Sequence, residues 1–259
     1  MQSFLTVVFI YFFFKTYKKN SFFNICFLSL SSGLLILLRG EFIALFILSI
    51  LYLKIFLKAN LKSVIMILLI TSFVISPYIA RNIFVADTMT VTKSIGFNLW
   101  KGNNEKSKVE GNSIYNLNLK NKIKEIPKDN YYDIKRDNIF LNEAFNNIQN
   151  NPKKYIILYL KKFLSYIFVD INSTYPNYYH PLHYIPVLII GIISTIGIIL
   201  SNKNSYQINF LILFFITNVA IVSSFFILPR YKLAILPMQI IFINIFINYL
   251  KEKFFSKNG

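Results

Sequence analysis

Long apolar runs separated by short polar joints dominate the chain. The runs cover residues 4–14, 22–38, 42–57, 63–80, 184–200, 208–228 and 233–250. Most of them approach the roughly 20 residues with which a helix crosses the bilayer core. The pattern therefore predicts an all-α fold, a polytopic membrane helix bundle with about seven transmembrane segments.

Two stretches interrupt this pattern. Residues 81–152 are polar and predict an external loop subdomain, and residues 153–171 hold Lys161 and Lys162 inside an apolar run, which suits a helix lying in the membrane interface. The predicted organisation is transmembrane helices over 1–80, with a first one that looks truncated, the loop subdomain over 81–152, the interfacial helix and an aromatic loop over 153–183, three transmembrane helices over 184–250 and a cytoplasmic tail over 251–259.

Composition supports the membrane interpretation. The chain is 55% hydrophobic and only 15% charged, and its mean hydropathy is +0.50, which is too apolar for a soluble domain of 259 residues. The net charge of +17 does not indicate nucleic-acid binding, because the basic residues stand at the ends of apolar runs. The single cysteine, Cys26, excludes an intrachain disulfide.

Lysines in the short joints predict the orientation, since joints rich in Lys and Arg stay in the cytoplasm. If the helices alternate and residues 153–171 do not cross, one side receives Lys15, Lys18, Lys19, Lys58, Lys62, Lys203, Lys251, Lys253 and Lys257. That side should be cytoplasmic. The joint 39–41, the loop 81–152 and the joint 229–232 then lie outside, and the most natural location is a bacterial inner membrane.

Four cations on the predicted external side are candidate ligands for a phosphate. Arg39 shares its joint with Glu41, so it is either the ion-pair partner of Glu41 at a hairpin tip or a phosphate ligand. Arg81, Arg230 and Lys232 also stand at the ends of runs, where long basic side chains commonly extend to the interface. Their shared side favours a joint anion site.

Other polar and aromatic residues allow acceptor or structural roles. His180 and His183 are the only histidines; two are a weak metal signal, and an aromatic interface loop or a contact with a sugar or lipid head group are the alternatives. Trp100 and Asn103 lie in a Gly- and Asn-rich stretch that predicts a turn region, either a solvated loop tip or part of a site. No motif here predicts a metal site or a cofactor.

Five stretches, taken in order, resemble the C-terminal part of the GT-C-type membrane glycosyltransferases. This is the group of the dolichyl-phosphate-mannose protein mannosyltransferases and the lipid A aminoarabinose transferases (family 39 group). The stretches are residues 33–41, ending in Arg-x-Glu, 77–82 with its Arg-Asn pair, 96–104 with Gly111, 141–161 with Asn-Pro and Lys161, and 230–237, which is similar to the family's Arg-Tyr-Arg-Leu-Pro signature.

The resemblance implies transfer of a sugar from a polyprenyl-phosphate donor to a lipid, glycan or protein acceptor on the non-cytoplasmic face. The family's essential Asp, which acts as a base or as a metal and acceptor ligand, has no counterpart in the first 80 residues, so the catalytic residue is unknown. A divalent cation stays an option that no motif here supports. We therefore expect an enzyme fragment that is inactive alone, either one half of a split enzyme whose N-terminal half is a separate polypeptide or the product of a truncated reading frame. The alternative is a non-enzymatic component, such as a transporter subunit for lipid-linked sugars or an inactive scaffold.

Overall fold

The computed structural model describes residues 1–92, 94–170, 172–173 and 180–255, apart from the side chains of Ala86 and Phe255. Within these residues the chain is helical and contains no strand, which confirms the all-α prediction. The helices are α1 (Gln2–Lys18), α2 (Phe22–Leu38), α3 (Phe42–Ile55), α4 (Leu61–Ala86), α5 (Ile95–Gly102), α6 (Leu117–Lys124), α7 (Tyr132–Asn150), α8 (Pro152–Ile167), α9 (Pro181–Leu200), α10 (Tyr206–Ser223), a 3₁₀ helix (Pro229–Ala234) and α11 (Leu236–Phe255).

Polar residues in the short joints start the apolar helices. The side chains of Ser21, Asn60 and Ser205 accept hydrogen bonds from backbone N–H groups in the first turns of α2, α4 and α10. These N–H groups have no partner within their own helix, so a capping side chain stabilises the helix start, typically by about 1 kcal/mol. The apolar runs of the sequence thus become helices with the expected starting points.

Hydrogen bonds close to the helix termini define two ends of the helix bundle. At one end, Asn20 Nδ2 donates to Ser63 Oγ at 2.6 Å, and Tyr52 Oη donates to the Tyr206 carbonyl at 2.7 Å. At the opposite end, Ser3 Oγ donates to the Leu233 carbonyl at 2.7 Å. We call this opposite end, which carries the joint 39–41 and the 3₁₀ helix, the loop end.

Stacked aromatic rings form the core between α1, α3 and α10. The rings of Phe13 and Phe210 lie parallel with centroids 3.8 Å apart, and Phe9 contacts both Phe42 and Phe214. All five are almost fully buried, and burying a phenylalanine side chain stabilises a fold by roughly 1.5–3 kcal/mol in water. These contacts are made inside the bundle, so they fix α1 against its neighbours.

The polar stretch folds around a second, smaller core. Buried Trp100 of α5 packs with Leu119, Phe140 and Ala144 of α6 and α7. The Asp137 carboxylate accepts hydrogen bonds at 2.8 Å from the backbone N–H groups of both Gly96 and Phe97, at the start of α5. Residues 95–102 are therefore a helix, so the prediction of a turn region over residues 96–112 was wrong up to Gly102, whereas residues 103–112 do form turns and bends.

Helices α8, α9 and α11 complete the bundle. Tyr159 Oη on α8 donates to the Ala220 carbonyl of α10 at 3.2 Å, while the apolar side chains of Ile156, Leu160 and Leu164 on α8 remain exposed. Helices α9 and α11 pack closely because Gly197 leaves room for the Phe242 backbone; a Cβ at this position would collide with it.

Three helices in the described part of the chain are long and apolar enough to cross a membrane, over Leu61–Val85, Pro181–Leu200 and Tyr206–Ser223. They indicate a membrane protein, but the predicted seven spans are not confirmed. Helices α2 and α3 are apolar and contain 17 and 14 residues, so at 1.5 Å per residue they reach only about 21–26 Å of a core roughly 30 Å thick. Helix α4 also continues past residue 80, the predicted boundary of the loop subdomain.

Candidate functional site

The joint between α2 and α3 places an ion pair at the loop end. Arg39 follows the last residue of α2, and its Nη2 lies against Glu41 Oε1. Its Nη1 also donates to Gln2 Oε1 at 3.4 Å, which ties the joint to the start of α1. The two charged side chains are 19% and 24% exposed, so the pair is shielded from bulk water but can still be reached.

Tyr231 brings two of the predicted cations together across the sequence. The Arg39 guanidinium lies 4.6 Å from the centre of the Tyr231 ring, and the Arg230 guanidinium lies 5.6 Å from it. A cation at this distance from an aromatic ring is attracted by the negative charge of the ring face. The structure therefore places Arg39 and Arg230 beside one ring, although they are far apart in the chain.

A cavity of about 520 Å³ opens beside this joint and has two chemically different sides. Its polar side is formed by Arg39, Glu41, Thr92, Ser94 and Asn98. Its apolar side follows α3 and the end of α10 and is formed by Leu38, Ile43, Ala44, Ile47, Ile221, Val222 and Phe225. Tyr231 and Phe226 also contribute to the lining. A charged end next to an apolar wall suits an amphipathic ligand.

The other two predicted cations have different surroundings. Arg81 is exposed on α4, where its Nη1 donates to Asn82 Oδ1 at 3.4 Å, and it does not line the cavity. Lys232 donates to the Phe168 carbonyl. Burial lowers the pKa of the Lys232 amine to about 7, an effect that the negative charge of Asp170 partly opposes. The four cations thus do not form one set, and only Arg39 and Arg230 converge.

Trp100 and Asn103 support the structure of the loop subdomain. Trp100 is 2% exposed, and its ring stacks on Tyr115 with centroids 5.3 Å apart. Asn103 Nδ2 donates to the Leu99 and Ser224 carbonyls, both at 2.8 Å. The prediction of a solvated loop tip was wrong, because these side chains are buried against α7 and the end of α10.

Lys162 entered the sequence prediction only as a sign of an interfacial helix, and its buried position was missed. Its side chain is fully buried, and its amine donates to the Gly102 carbonyl at 2.8 Å and to Asn103 Oδ1 at 3.1 Å. Burial lowers the pKa of this amine to about 7. The detectable signal was helical periodicity, since Lys162 shares the inward face of α8 with Tyr155, Leu158, Ser165 and Tyr166.

The two histidines lie at the start of α9. His180 Nδ1 accepts a hydrogen bond from the Leu182 N–H at 3.4 Å, and the rings of His180 and His183 are 5.7 Å apart. Among the described residues no group of three or more His, Cys, Asp or Glu side chains could hold a metal ion. Residues 174–179, half of the predicted aromatic loop, lie outside the described residues.

No protein-family model, curated protein or solved structure matches this chain.

Proposed function

We propose that this chain is part of a membrane glycosyltransferase that takes a sugar from a polyprenyl-phosphate donor. The observation that carries this proposal is the two-sided cavity, with Arg39 and Glu41 at its polar end and the side chains of α3 and α10 along its apolar wall. The resemblance to GT-C-type glycosyltransferases in the sequence supports the same function. Transfer would take place on the non-cytoplasmic face of a bacterial inner membrane, onto a lipid, glycan or protein.

The cavity suits the head of a lipid-linked sugar for three reasons. The Arg39 guanidinium can donate two parallel hydrogen bonds to phosphate oxygens. Thr92, Ser94 and Asn98 offer hydroxyl and amide groups to a sugar. A volume of about 520 Å³ is within the range of small-molecule sites and leaves most of a long polyprenyl chain in the surrounding lipid.

The proposed reaction demands positioning and charge stabilisation. The bond between the anomeric carbon and the phosphate oxygen breaks, and the lipid phosphate leaves with the electron pair. The acceptor hydroxyl oxygen bonds to the anomeric carbon and releases its proton to a base. Arg39 would stabilise the departing phosphate, because a fixed positive group close to developing negative charge lowers the barrier.

The described lining of the cavity offers no ready candidate for the base that takes the acceptor's proton. Glu41 is the one carboxylate among its lining residues, and Arg39 holds it in an ion pair. Loss of a positioned base typically slows a reaction about 100-fold to 10,000-fold. We therefore propose that a separate polypeptide supplies the catalytic carboxylate and that the 259-residue chain alone binds the donor without appreciable transfer.

The proposed topology has about seven spans: α1 to α4 and α9 to α11, with α8 in the interface. The shorter helices would then cross with their ends in the head-group region, where the polar joints find water. The loop end, with the cavity, faces outward. The lysines of the opposite joints face the cytoplasm, as the distribution of positive charge requires.

Lipid binding in phosphatidylcholine nanodiscs tests the proposal. The donor-like probe is a polyprenyl phosphodiester, and the variants are Arg39→Gln, inside the cavity, and Arg81→Gln, a matched control outside it. We expect Arg39→Gln to weaken binding about 10- to 100-fold, since charge-assisted hydrogen bonds are worth about 1.5–3 kcal/mol, and Arg81→Gln to leave it nearly unchanged. Equal losses in the two variants, or no binding by the unmodified chain, would remove the basis for the proposal.

The paired state of Glu41 also favours a second candidate, a non-enzymatic component such as a transporter subunit or scaffold that binds the lipid without turnover. A transfer assay in membranes, with and without a separately expressed polypeptide that supplies the catalytic carboxylate, distinguishes the two. Transfer that depends on the added polypeptide supports the enzyme. Binding with no transfer under either condition supports the non-enzymatic component. Transfer by the chain alone that Glu41→Gln abolishes would identify Glu41 as the catalytic base.

A further inference from the structure

The charged lining of the cavity is nearly neutral as a whole. Among the described residues that line it, Arg39 and Glu41 are the two charged side chains, one positive and one negative, in direct contact. Both are less than one-quarter exposed, so solvent screens them less than it would on an open surface. Arg39 can therefore compensate one negative charge of a ligand only by sharing its guanidinium with Glu41.

Two other cations stand near the cavity without lining it. Arg230 is exposed and contacts the same Tyr231 ring. The Lys101 amine lies 4.3 Å from the centre of the Phe226 ring, and burial together with Arg230 lowers the pKa of this amine. An exposed arginine is screened by water and salt and contributes weakly to a partly buried charge. The carboxylate of Glu41 thus remains the one negative charge among the described lining residues.

We infer that Glu41 is a specificity-determining residue that makes the cavity prefer a singly charged phosphodiester head group over a doubly charged phosphomonoester. With a diester bound, Arg39 faces two negative groups of one charge each, the ligand and Glu41. With a monoester, a second ligand charge is added in a partly dry site beside the carboxylate, and like charges at short range are mutually destabilising. This inference rests on the proposed function and names the head-group class that the proposed site selects.

The preference would favour replacement of the spent lipid phosphate by a new donor after each transfer. A lipid-linked sugar donor is a phosphodiester with one charge, whereas the lipid phosphate left after transfer is a monoester whose second proton dissociates at a pH of about 6. The site would therefore hold the donor and release the spent lipid phosphate. In this role Glu41 acts by repelling the product, without taking part in bond breaking.

Matched lipid probes test the inference in the full chain. The probes are geranylgeranyl monophosphate and its methyl diester, which share one hydrocarbon chain, measured at pH 8 in phosphatidylcholine nanodiscs. We expect the unmodified protein to bind the diester more tightly. Glu41→Gln should improve monoester binding about tenfold more than diester binding. A factor of ten is the change in affinity that corresponds to a charge interaction of one pKa unit. Glu41→Asp, which keeps the charge, should retain the original preference.

The outcomes separate this inference from the function on which it rests. If neither probe binds to the unmodified protein, the proposed function fails. If both bind and Glu41→Gln leaves their ratio unchanged, the lipid site stands and the role of Glu41 is wrong. Should Glu41→Gln fail to fold, the unmodified protein at pH 5 provides the decisive measurement, because the monoester then carries one charge and its disadvantage against the diester should disappear. A disadvantage that persists at pH 5 overturns the inference.

Discussion

Lys162 offers the sharpest test of the structure, because its amine is buried without a carboxylate beside it. Two oxygen acceptors surround it: the Gly102 carbonyl at 2.8 Å and Asn103 Oδ1 at 3.1 Å. Burial lowers the pKa of Lys162 from 10.5 to about 7. In the unfolded chain the amine has its ordinary pKa, so between these two values the unfolded state binds more protons than the folded state.

The sign of the pH dependence follows from this difference. The contribution of Lys162 to stability should be lowest below pH 7. It should rise with pH between about 7 and 10.5. Over this whole pH range the free energy of unfolding should rise by roughly 5 kcal/mol. Between pH 7 and pH 9 it should rise by about 2–3 kcal/mol. Staying below pH 9 avoids most of the titration of unfolded tyrosines.

Replacing Lys162 by the uncharged, apolar methionine should remove this dependence. Lys162→Met loses the two hydrogen bonds and leaves two buried acceptors, which costs about 1–3 kcal/mol for each acceptor, but it also removes the desolvated charge. We therefore expect the destabilisation by Lys162→Met, measured by thermal unfolding in detergent, to be about 2–3 kcal/mol larger at pH 9 than at pH 7. The neighbouring Lys161 is exposed, so Lys161→Met is the matched control and should show no such difference. Equal effects of Lys162→Met at the two pH values would show that the amine is hydrated and that its buried position is wrong.

Three further predictions address the rest of the fold. Asp137→Asn should keep the side-chain shape but weaken the cap of α5, which should destabilise the loop subdomain by about 1 kcal/mol. Amide hydrogen exchange in α5 should then be faster, and unchanged exchange would contradict this prediction. Gly197→Leu should separate α9 from α11, because a side chain there collides with Phe242, and should lower the unfolding temperature, whereas a neutral effect would refute this close packing. Cysteine labelling from outside intact cells should reach Asn112→Cys and spare Asn204→Cys; the reverse pattern would invert the proposed topology.

The apolar runs predicted the helices of the bundle because each run ends at a polar joint, and in three of these joints Ser21, Asn60 or Ser205 caps the next helix. Asn60, for example, accepts from the backbone N–H of Lys62 and starts α4 where the run suggests. The number of spans could not be predicted in the same way. Phe9 and Phe13 pack against other helices of the bundle. The sequence of an apolar run does not show whether lipids or neighbouring helices surround it.

The candidate site was predicted only in part, because its contacts join distant parts of the chain. Arg39 and Glu41 are local neighbours, so their ion pair could be anticipated. The shared position of Arg39 and Arg230 depends on Tyr231, which the sequence marks only as part of the 230–237 stretch and not as a contact of Arg39. Arg81 looked equivalent to Arg39 in sequence, yet its helix presents it to the exterior. Local composition likewise suggested a turn region over residues 96–112. The helix up to Gly102 was missed because its capping carboxylate, Asp137, lies about 40 positions later.

The 3₁₀ helix Pro229–Ala234 connects the cavity to the rest of the bundle. Short 3₁₀ segments have poorer backbone hydrogen bonds than α-helices, so contacts from other elements must fix their position. Here Tyr166 Oη of α8 donates to the Tyr231 carbonyl at 3.0 Å, Ser3 of α1 donates to the Leu233 carbonyl, and Arg39 covers the Tyr231 ring. Lys162 on α8 also binds the end of α5 in the loop subdomain. One helix therefore positions both α5 and the Tyr231 ring beside the ion pair. The geometry of the cavity is therefore a property of the whole loop end, although Arg39 and Glu41 supply its charge.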